Sequence, residues 1–238
     1  MTKTIVILTN SVRTGGNHCV AGREFIRAGG SWTWGKWIRP VSRHGEGELE
    51  NRECRYADGN PVSVLDLVEV SLAEKQECAH QPENYFIDSP ARWRRRTTMP
   101  KNYLSDLVET PAHLWHQDGV KSDRIYKDKA VGSLTPFQSL YLIKPQALCF
   151  RIEQEYNDRQ QRKQKRRRAI FVYRSRKYDL PITDPTMDAR YFSDFPDPGS
   201  PPRDIRPSRP DDFFLVVSLA APFRDGNCYK IAATLLEP

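Results

Sequence analysis

Residues 62–72, VSVLDLVEVSL, give the clearest indication of the fold class of this chain. Every second side chain points to the same face of an extended chain, and that face holds Val64, Asp66, Val68, Val70 and Leu72. Alternation with a period of two, opened by Pro61, is typical of a β-strand with one buried face. We therefore predict a strand at 62–72 and expect further strands to complete its sheet.

Shorter strand patterns lie on both sides of this stretch. Their bounds are 3–8, 37–41, 139–143, 147–156, 169–174, 213–219 and 229–236. Glycine pairs such as Gly15-Gly16 and Gly29-Gly30 mark turns or loops between them. A short helix is predicted at 101–109. Many short strands with little helix are typical of small barrels or sandwiches, so we predict an all-β fold with minor α.

The strand patterns gather at the two ends of the 238-residue chain. We predict one half at 1–75 and another at 136–238, separated by an irregular linking segment at 76–135 that holds the short helix. The chain is long enough for two small domains. Within the second half, 193–212 contains six prolines in twenty residues, so we expect a long surface loop there.

Positive charge is concentrated in one segment. The formal net charge of the chain is +7, yet 159–177 contains ten Lys and Arg and no Asp or Glu. The rest of the chain therefore carries a net charge of −3. Local positive charge on an otherwise slightly acidic protein is the electrostatic footprint expected of a phosphate-binding surface.

The most basic residues belong to the distal part of a predicted hairpin. Both flanks of 147–176 alternate with period two, which predicts two paired strands with 157–168 at their far end. A polar helix through 153–167 is the competing assignment, since its residues favour helix. Six cations in seven residues lie there, namely Arg162, Lys163, Lys165, Arg166, Arg167 and Arg168. They are suited to neutralising phosphates of a nucleic acid; the alternatives are a solvated loop tip or a docking site for an acidic protein.

One tryptophan is surrounded by arginines. Trp93 lies among Arg92, Arg94, Arg95 and Arg96. A base can stack on an indole while guanidinium groups hold the flanking phosphates, which is a combination used for single strands. The alternative is a tryptophan in the core with arginines at its rim.

A second aromatic cluster contains Trp32, Trp34 and Trp37, with Arg39 close behind. On an exposed strand of a small barrel these residues would offer stacking surfaces to bases. Trp37 shares a strand pattern with Ile38 and is expected in the core. Trp32 and Trp34 are the better candidates for exposure, with Arg39 as a cation beside them.

Metal-binding and redox patterns are incomplete in this sequence. The five cysteines are scattered and never form CxxC, which favours free, buried thiols over disulfides. Cys78-x-His80 and His113-x2-His116 are half-sites without a partner pair. We expect neither a structural metal nor a cofactor.

Catalytic patterns are also incomplete, so we expect a protein that is not an enzyme. His18 and Cys19 are adjacent, and adjacent side chains on an extended chain point in opposite directions. No phosphate-binding loop ending in Gly-Lys-Ser/Thr is present. Four acids are candidate metal ligands of a nuclease but lack the close spacing of such sites: Asp58, Asp66, Asp179 and Asp184.

No run of apolar residues approaches the ~20 that cross a bilayer. The apolar run 5–8 is too short for the core of a signal peptide. We therefore expect a cytoplasmic protein with no membrane partner.

Several short motifs, taken together, are similar to one known family. In chain order they are LTNS at 8–11, the glycines 15–16, CVAG at 19–22, WIRPVS at 37–42, LD at 65–66, QxEN at 81–84, ITDP at 182–185, VSL at 217–219, PF at 222–223 and YKxAA at 229–233. Their order and spacing resemble the bacterial dual OB-containing domain family over nearly the whole chain.

That resemblance implies two OB-like barrels in tandem that bind nucleic acid, often in prokaryotic defence. It supplies no catalytic residues. The expected ligand is RNA or DNA, with single strands slightly favoured, bound chiefly through its backbone with weak sequence preference. The alternative is a protein-interaction subunit of a defence or nucleic-acid-processing complex, and a metal-dependent nuclease is a further one.

Overall fold

The computed structural model describes residues 1–12, 16–88, 93–157 and 161–237. Strands hold 50% of the residues and helices 8%, with one closed five-stranded barrel and one half-barrel. The predicted all-β class with OB-like barrels is therefore confirmed. Within the described ranges, no helix is long and apolar enough to cross a membrane.

The first compact unit is formed by Met1–Val108 with Pro136–Leu140. Its barrel strands are β1 (Thr2–Val12), β2 (His18–Ala28), β3 (Ser31–Val41), β4 (Asp66–Lys75) and β5 (Asn84–Ile87). The order is β1-β2-β3-β5-β4, and β4 pairs again with β1 to close the barrel. Neighbours are antiparallel except β3 and β5, which are parallel. The strand β6 (Arg94–Thr98) is added beside β4.

The apolar face predicted at 62–72 is part of the barrel core, where Val68, Val70 and Leu72 are fully buried. The strand itself begins at Asp66 rather than at residue 62. Leu65 has a φ of 71°, and this left-handed conformation interrupts an extended run. The helix predicted at 101–109 is a 3-10 helix over Lys101–Leu107, and another 3-10 turn covers Asn51–Glu53.

Closure of the barrel brings β1 and β2 into close approach at Gly22. A Cβ atom at this position would lie 1.9 Å from the carbonyl oxygen of Val6. Gly22 pairs with Ile7 on one side and with Ile38 on the other. The absent side chain therefore lets three neighbouring strands meet without a clash.

The second compact unit is formed by Glu109–Thr135 with Tyr141–Pro238. Its strands are β7 (Arg124–Tyr126), β8 (Leu140–Ile143), β9 (Gln146–Asn157), β10 (Arg162–Tyr173), β11 (Arg176–Pro181), β12 (Arg203–Ile205), β13 (Phe214–Leu219) and β14 (Asn227–Leu236). They form two four-stranded sheets, β11-β10-β9-β12 and β7-β14-β13-β8. Two short helices, α1 (Lys127–Ala130) and α2 (Met187–Tyr191), complete the unit.

The second unit repeats the strand order of the first. Strands β8 and β9 are consecutive in the chain and take the place of the first barrel strand, since β8 pairs with β13 and β9 pairs with β10. A parallel bridge joins Ile182, just after β11, to Ala232 of β14, in the place of the β3–β5 pairing of the first unit. Both units thus follow OB connectivity.

The hairpin expected at 147–176 is formed by β9 and β10, which pair antiparallel from Arg162 opposite Asn157 onward. The competing helix through 153–167 does not form. The proline-rich stretch 193–212 contributes only the three-residue strand β12, at the edge beside β9, because prolines cannot serve in a central strand. Residues 76–135, expected as a linking segment, divide between the two units after Val108.

Candidate nucleic-acid interface

An aromatic platform lies on the β2–β3 pair of the first unit. Phe25 is opposite Trp34, and Arg27 is opposite Trp32, so these four side chains share one face. The ring centroids of Phe25 and Trp32 are 5.6 Å apart in a stacked arrangement, and those of Trp32 and Trp34 are 5.1 Å apart, edge to face. Tyr103 packs its ring 5.7 Å from that of Trp32.

Trp32 is the accessible ring of this platform. It is 44% exposed, whereas Trp34 and Phe25 are half-buried. Its contacts with Phe25, Trp34 and Tyr103 therefore fix the indole while part of its surface stays open, which favours stacking at low entropic cost. Arg27 is exposed beside it. Trp37 is buried in the core as expected.

Arg39 does not lie at this surface and cannot contact a nucleic acid there. It is only 6% exposed. Its guanidinium donates to Ser139 Oγ at 3.1 Å and to Asn84 Oδ1 at 3.3 Å. Ser139 in turn donates its backbone N–H and its hydroxyl to Glu83. The expectation of Arg39 as a binding residue is therefore corrected: it belongs to a buried polar network, because a buried cation requires partners.

Trp93 is a core residue and offers no stacking surface. It is 1% exposed, packs in the core of the first barrel and donates its indole N–H to the carbonyl of Glu53 at 2.6 Å. Of the two interpretations of the Trp93 cluster, the structure thus supports the core position. Arg92 of that cluster lies outside the described residues.

The arginines that follow Trp93 are exposed on β6. Arg94 and Arg96 both reach Glu69 of the neighbouring strand β4, the former at 3.9 Å. The Arg95 guanidinium lies 5.6 Å from the centre of the Tyr56 ring. The three side chains are accessible to a phosphate, although one carboxylate partly neutralises two of them.

The cations of β10 divide into an anchored end and an open end. Arg168 pairs with Asp179 and, at 3.3 Å, with Asp123. Arg167 pairs with Asp188 of α2. These two arginines are half-buried and hold the hairpin against its own unit.

Residues 158–160 of the hairpin tip lie outside the described residues, and the described part of the open end carries four exposed cations: Arg162, Lys163, Lys165 and Arg166. Arg166 pairs with Glu155 of β9 at 2.7 Å, and Glu153 lies opposite Arg166. Acids on the partner strand therefore offset part of the positive charge of residues 159–177. Among the described residues of this end, the four cations still outnumber the two carboxylates, so this surface remains positive.

Two aromatic residues accompany these cations and were not predicted from the sequence. Tyr156 is exposed and lies directly opposite Lys163. Phe195, in the proline-rich stretch, lies 4.8 Å from the Lys165 amine and 5.7 Å from the Arg167 guanidinium, measured to its ring centre. The alternating pattern of 147–156 already placed Tyr156 on the hairpin strand, so its position beside the cations could have been found from the sequence. Nothing in the hairpin sequence indicated that Phe195 lies near the cations.

The four acids considered as nuclease ligands do not form a metal site. Asp66 is buried and accepts a hydrogen bond from Tyr56 Oη at 2.6 Å, and Asp184 accepts one from the Leu235 backbone N–H at 3.0 Å. Asp58 and Asp179 lie in different units. Among the residues that the structure describes, no group of three or more His, Cys, Asp or Glu is arranged to hold a metal ion.

His18 directs both ring nitrogens toward amides. Its Nδ1 lies 2.7 Å from Asn10 Oδ1 and its Nε2 lies 3.0 Å from Asn51 Oδ1. The ring is therefore held by contacts other than the neighbouring Cys19 thiol, and a nucleophile–base pair is not formed.

The closed barrel and the half-barrel, with their shared strand order, define a protein of two OB-like units. The sequence model of the dual OB-containing domain family matches residues 3–235. The chain therefore belongs to this family, as the motifs in its sequence suggested. No curated protein matches the sequence.

Several solved structures are distantly similar, including the following two. One is a chain of a replication protein A heterotrimer bound to single-stranded DNA, with 10% identity and a TM-score of 0.33 over 100% of this chain and 48% of the other. This chain thus spans about half the length of that one. The other is the HINa domain of Ifi202 with 20-base-pair double-stranded DNA, with 10% identity and a TM-score of 0.32 over 100% and 95%. At this similarity, their ligands say nothing about the ligand of this chain.

Proposed function

We propose that this protein binds single-stranded RNA or DNA, chiefly through the backbone and with weak sequence preference, and that it is not an enzyme. The observation that carries the proposal is the position of Trp32, exposed on the second and third strands of a closed OB barrel. That face of the OB fold is where oligonucleotides bind in many proteins. Stacking on an exposed indole tolerates every base, because each base has a π-face.

The open end of the β9–β10 hairpin supplies the phosphate contacts in this proposal. Arg162, Lys163 and Lys165 project at its far end, and releasing counterions from phosphates gives affinity without reading sequence. Trp32 and the hairpin belong to different units, and each is proposed to bind nucleic acid independently of the other. A setting in prokaryotic defence is also proposed, on the family resemblance alone.

A Trp32→Ala variant tests this function. The oligonucleotide is a labelled single strand, and its affinity is measured by fluorescence anisotropy at fixed salt. Loss of one stacked base costs about 1–3 kcal/mol, so we expect the dissociation constant to rise roughly 5- to 150-fold. Trp32→Phe keeps a ring and is expected to retain most of the affinity.

The matched control is Ile26→Ala. Like Trp32, Ile26 is an exposed apolar residue. It lies on β2 opposite Thr33, on the other face from the aromatic platform. Its truncation is expected to leave binding unchanged. Equal affinity of wild type and Trp32→Ala would contradict the proposed role of the platform. Tight binding of an acidic protein partner in the absence of nucleic acid would instead favour the protein-interaction alternative.

A further inference from the structure

A second aromatic face lies on the β7–β14 pair of the second unit and shares no residue with the basic hairpin. Tyr126 pairs with Asn227, and Arg124 pairs with Tyr229, so these four side chains share one face of the sheet. The intervening pair, Ile125 and Cys228 on the opposite face, is buried in the core. On the other face Tyr126 is exposed and Tyr229 is half-buried, whereas Asn227 is buried.

Three aromatic side chains belong to this face or its border: Tyr126 of β7, Tyr229 of β14 and Phe223 of the preceding loop. The loop before β14 places Phe223 with its ring centroid 6.2 Å from that of Tyr229, edge to face. Phe223 is 55% exposed and Tyr126 is 50% exposed. Two large rings are thus half open to solvent, one on β7 and one in the loop before β14, and exposed apolar surface rimmed by polar residues is typical of binding sites.

Tyr229 is held in a fixed orientation beside these rings. Its hydroxyl donates to Asp225 Oδ2 at 2.5 Å, and this hydrogen bond is the main reason why its pKa is raised. The Arg124 guanidinium lies 4.8 Å from the ring centre. A ring that is already ordered loses little entropy when another ring stacks near it.

The charges around the rings favour a nucleic acid over a protein as the occupant. Asp123 is paired with Arg124 and Arg168, and Asp225 accepts from Tyr229 and the Asn227 backbone. The centre of a protein interface is depleted of charge, whereas interleaved cations and rings are the pattern that binds single strands. Within the β7–α1 segment and the loop before β14, the cations are Arg124, Lys127, Lys129 and Arg224, and the one further carboxylate is Asp128.

We propose that the face formed by Arg124, Tyr126, Phe223 and Tyr229 binds unpaired bases of a single-stranded nucleic acid. The inference rests on the proposed function and adds to it a binding site on the second unit. Bases in a duplex are stacked inside the helix and cannot lie on these rings, so the face selects single strands. The strand β7 has no counterpart in the five-strand order of the first barrel.

The test is photocrosslinking of the full chain to a single strand that carries 5-bromouracil bases. A strand of about 40 nucleotides is long enough for two OB folds, which occupy up to about 16 nucleotides each. After irradiation, the modified residues are identified by mass spectrometry of the digested protein. We expect adducts at Tyr126, Phe223 or Tyr229, and an excess of unmodified single strand should suppress them while duplex should not.

Affinity variants complete the test. Phe223→Ala should raise the dissociation constant for the same strand roughly 5- to 150-fold. Val131→Ala removes an exposed apolar side chain of the same unit but no ring, and should bind as wild type does. The proposal requires weaker binding by Phe223→Ala, unchanged binding by Val131→Ala and adducts on the rings. Because both side chains are exposed, neither variant should alter folding.

The outcomes separate this inference from the function on which it rests. Binding by the wild type with no adduct at the three rings, or with unchanged affinity of Phe223→Ala, overturns this site and leaves the proposed function standing. Equal weakening by Val131→Ala contradicts stacking and indicates a general apolar surface, as for a protein partner. No binding of single strands by the wild type overturns both.

Discussion

Lys230 gives the sharpest quantitative prediction, because it is a buried cation in a strand of the second unit. It is 1% exposed, and its amine donates to the Ser122 carbonyl at 2.9 Å. Burial lowers the pKa of Lys230 from 10.5 to about 8, and nearby Asp123 only partly opposes this effect. The fold therefore tolerates an amine that it would hold more easily in the neutral form.

The magnitude and sign follow from the two pKa values. Below pH 8 the amine is protonated in both states, and the folded state carries the full cost of about 3 kcal/mol, at 1.36 kcal/mol per pH unit. Between pH 8 and pH 10.5 the unfolded chain binds a proton that the folded chain lacks, so stability rises with pH. Above that range the cost is gone.

The substitution Lys230→Met keeps the length of the side chain and removes the titrating group. Unfolding by urea is followed through tryptophan fluorescence at pH 7 and pH 10. The stability of the wild type relative to Lys230→Met should increase by about 2–3 kcal/mol between these pH values. Comparing two pH values cancels the constant effect of the missing hydrogen bond to Ser122.

The control for general loss of charge is Lys129→Met, which removes an exposed lysine of the same unit. A wild type whose stability relative to Lys230→Met stays constant from pH 7 to pH 10 would contradict this prediction. It would mean that the amine is solvated in the folded state.

Three further predictions concern packing and reactivity. Gly22→Ala should destabilise the protein by at least about 3 kcal/mol in urea unfolding, because its Cβ would meet the Val6 carbonyl. Gly35→Ala should cost less stability, because its Cβ would meet movable side-chain atoms. Equal losses of stability in the two variants would contradict the close approach of β1 and β2 at Gly22. Trp93→Ala should cost about 3–5 kcal/mol of stability, whereas Trp32→Ala should affect binding and leave the unfolding midpoint nearly unchanged. Burial raises the pKa of the Cys54 thiol to about 11, so iodoacetamide at pH 8 should modify it only after unfolding; rapid labelling of the folded chain, mapped by mass spectrometry, would argue against its burial.

The strands of this fold could be predicted where alternation was long, and the closure of the first barrel could not. Strand β5 covers only Asn84–Ile87, with one buried apolar side chain at its end, so it carries no period-two signal. Yet its parallel pairing with β3 closes the barrel. Parallel pairing joins residues far apart in sequence, and no local pattern encodes it. This is why 76–135 looked irregular in the sequence.

The residues of the candidate site could likewise be predicted from the sequence only in part. Trp32 and Trp93 both lie near cations in the sequence, but only the fold reveals that one is exposed and the other is core. The partners of the buried Arg39, which are Asn84 and Ser139, are 45 and 100 residues away, beyond any local pattern. Glu153 and Glu155 are different, because they lie on the strand that the sequence predicts to pair with β10. Their proximity to the hairpin cations could therefore have been inferred from the predicted hairpin.

The most direct test of the proposed function is to measure the binding of labelled single and double strands of DNA and RNA across a salt series. The wild type is compared with a variant in which Arg162, Lys163, Lys165 and Arg166 become Ser. A second variant neutralises Arg174, Arg176 and Lys177 at the other end of the β10–β11 pair as a control for charge.

We expect micromolar or tighter binding of single strands at low salt by the wild type, with a steep salt dependence. That slope should flatten in the hairpin variant by about 0.7 for each phosphate that the variant no longer neutralises, and much less in the control. Absence of binding by the wild type at about 50 mM salt, where electrostatic attraction is strong, would contradict nucleic-acid binding by this protein.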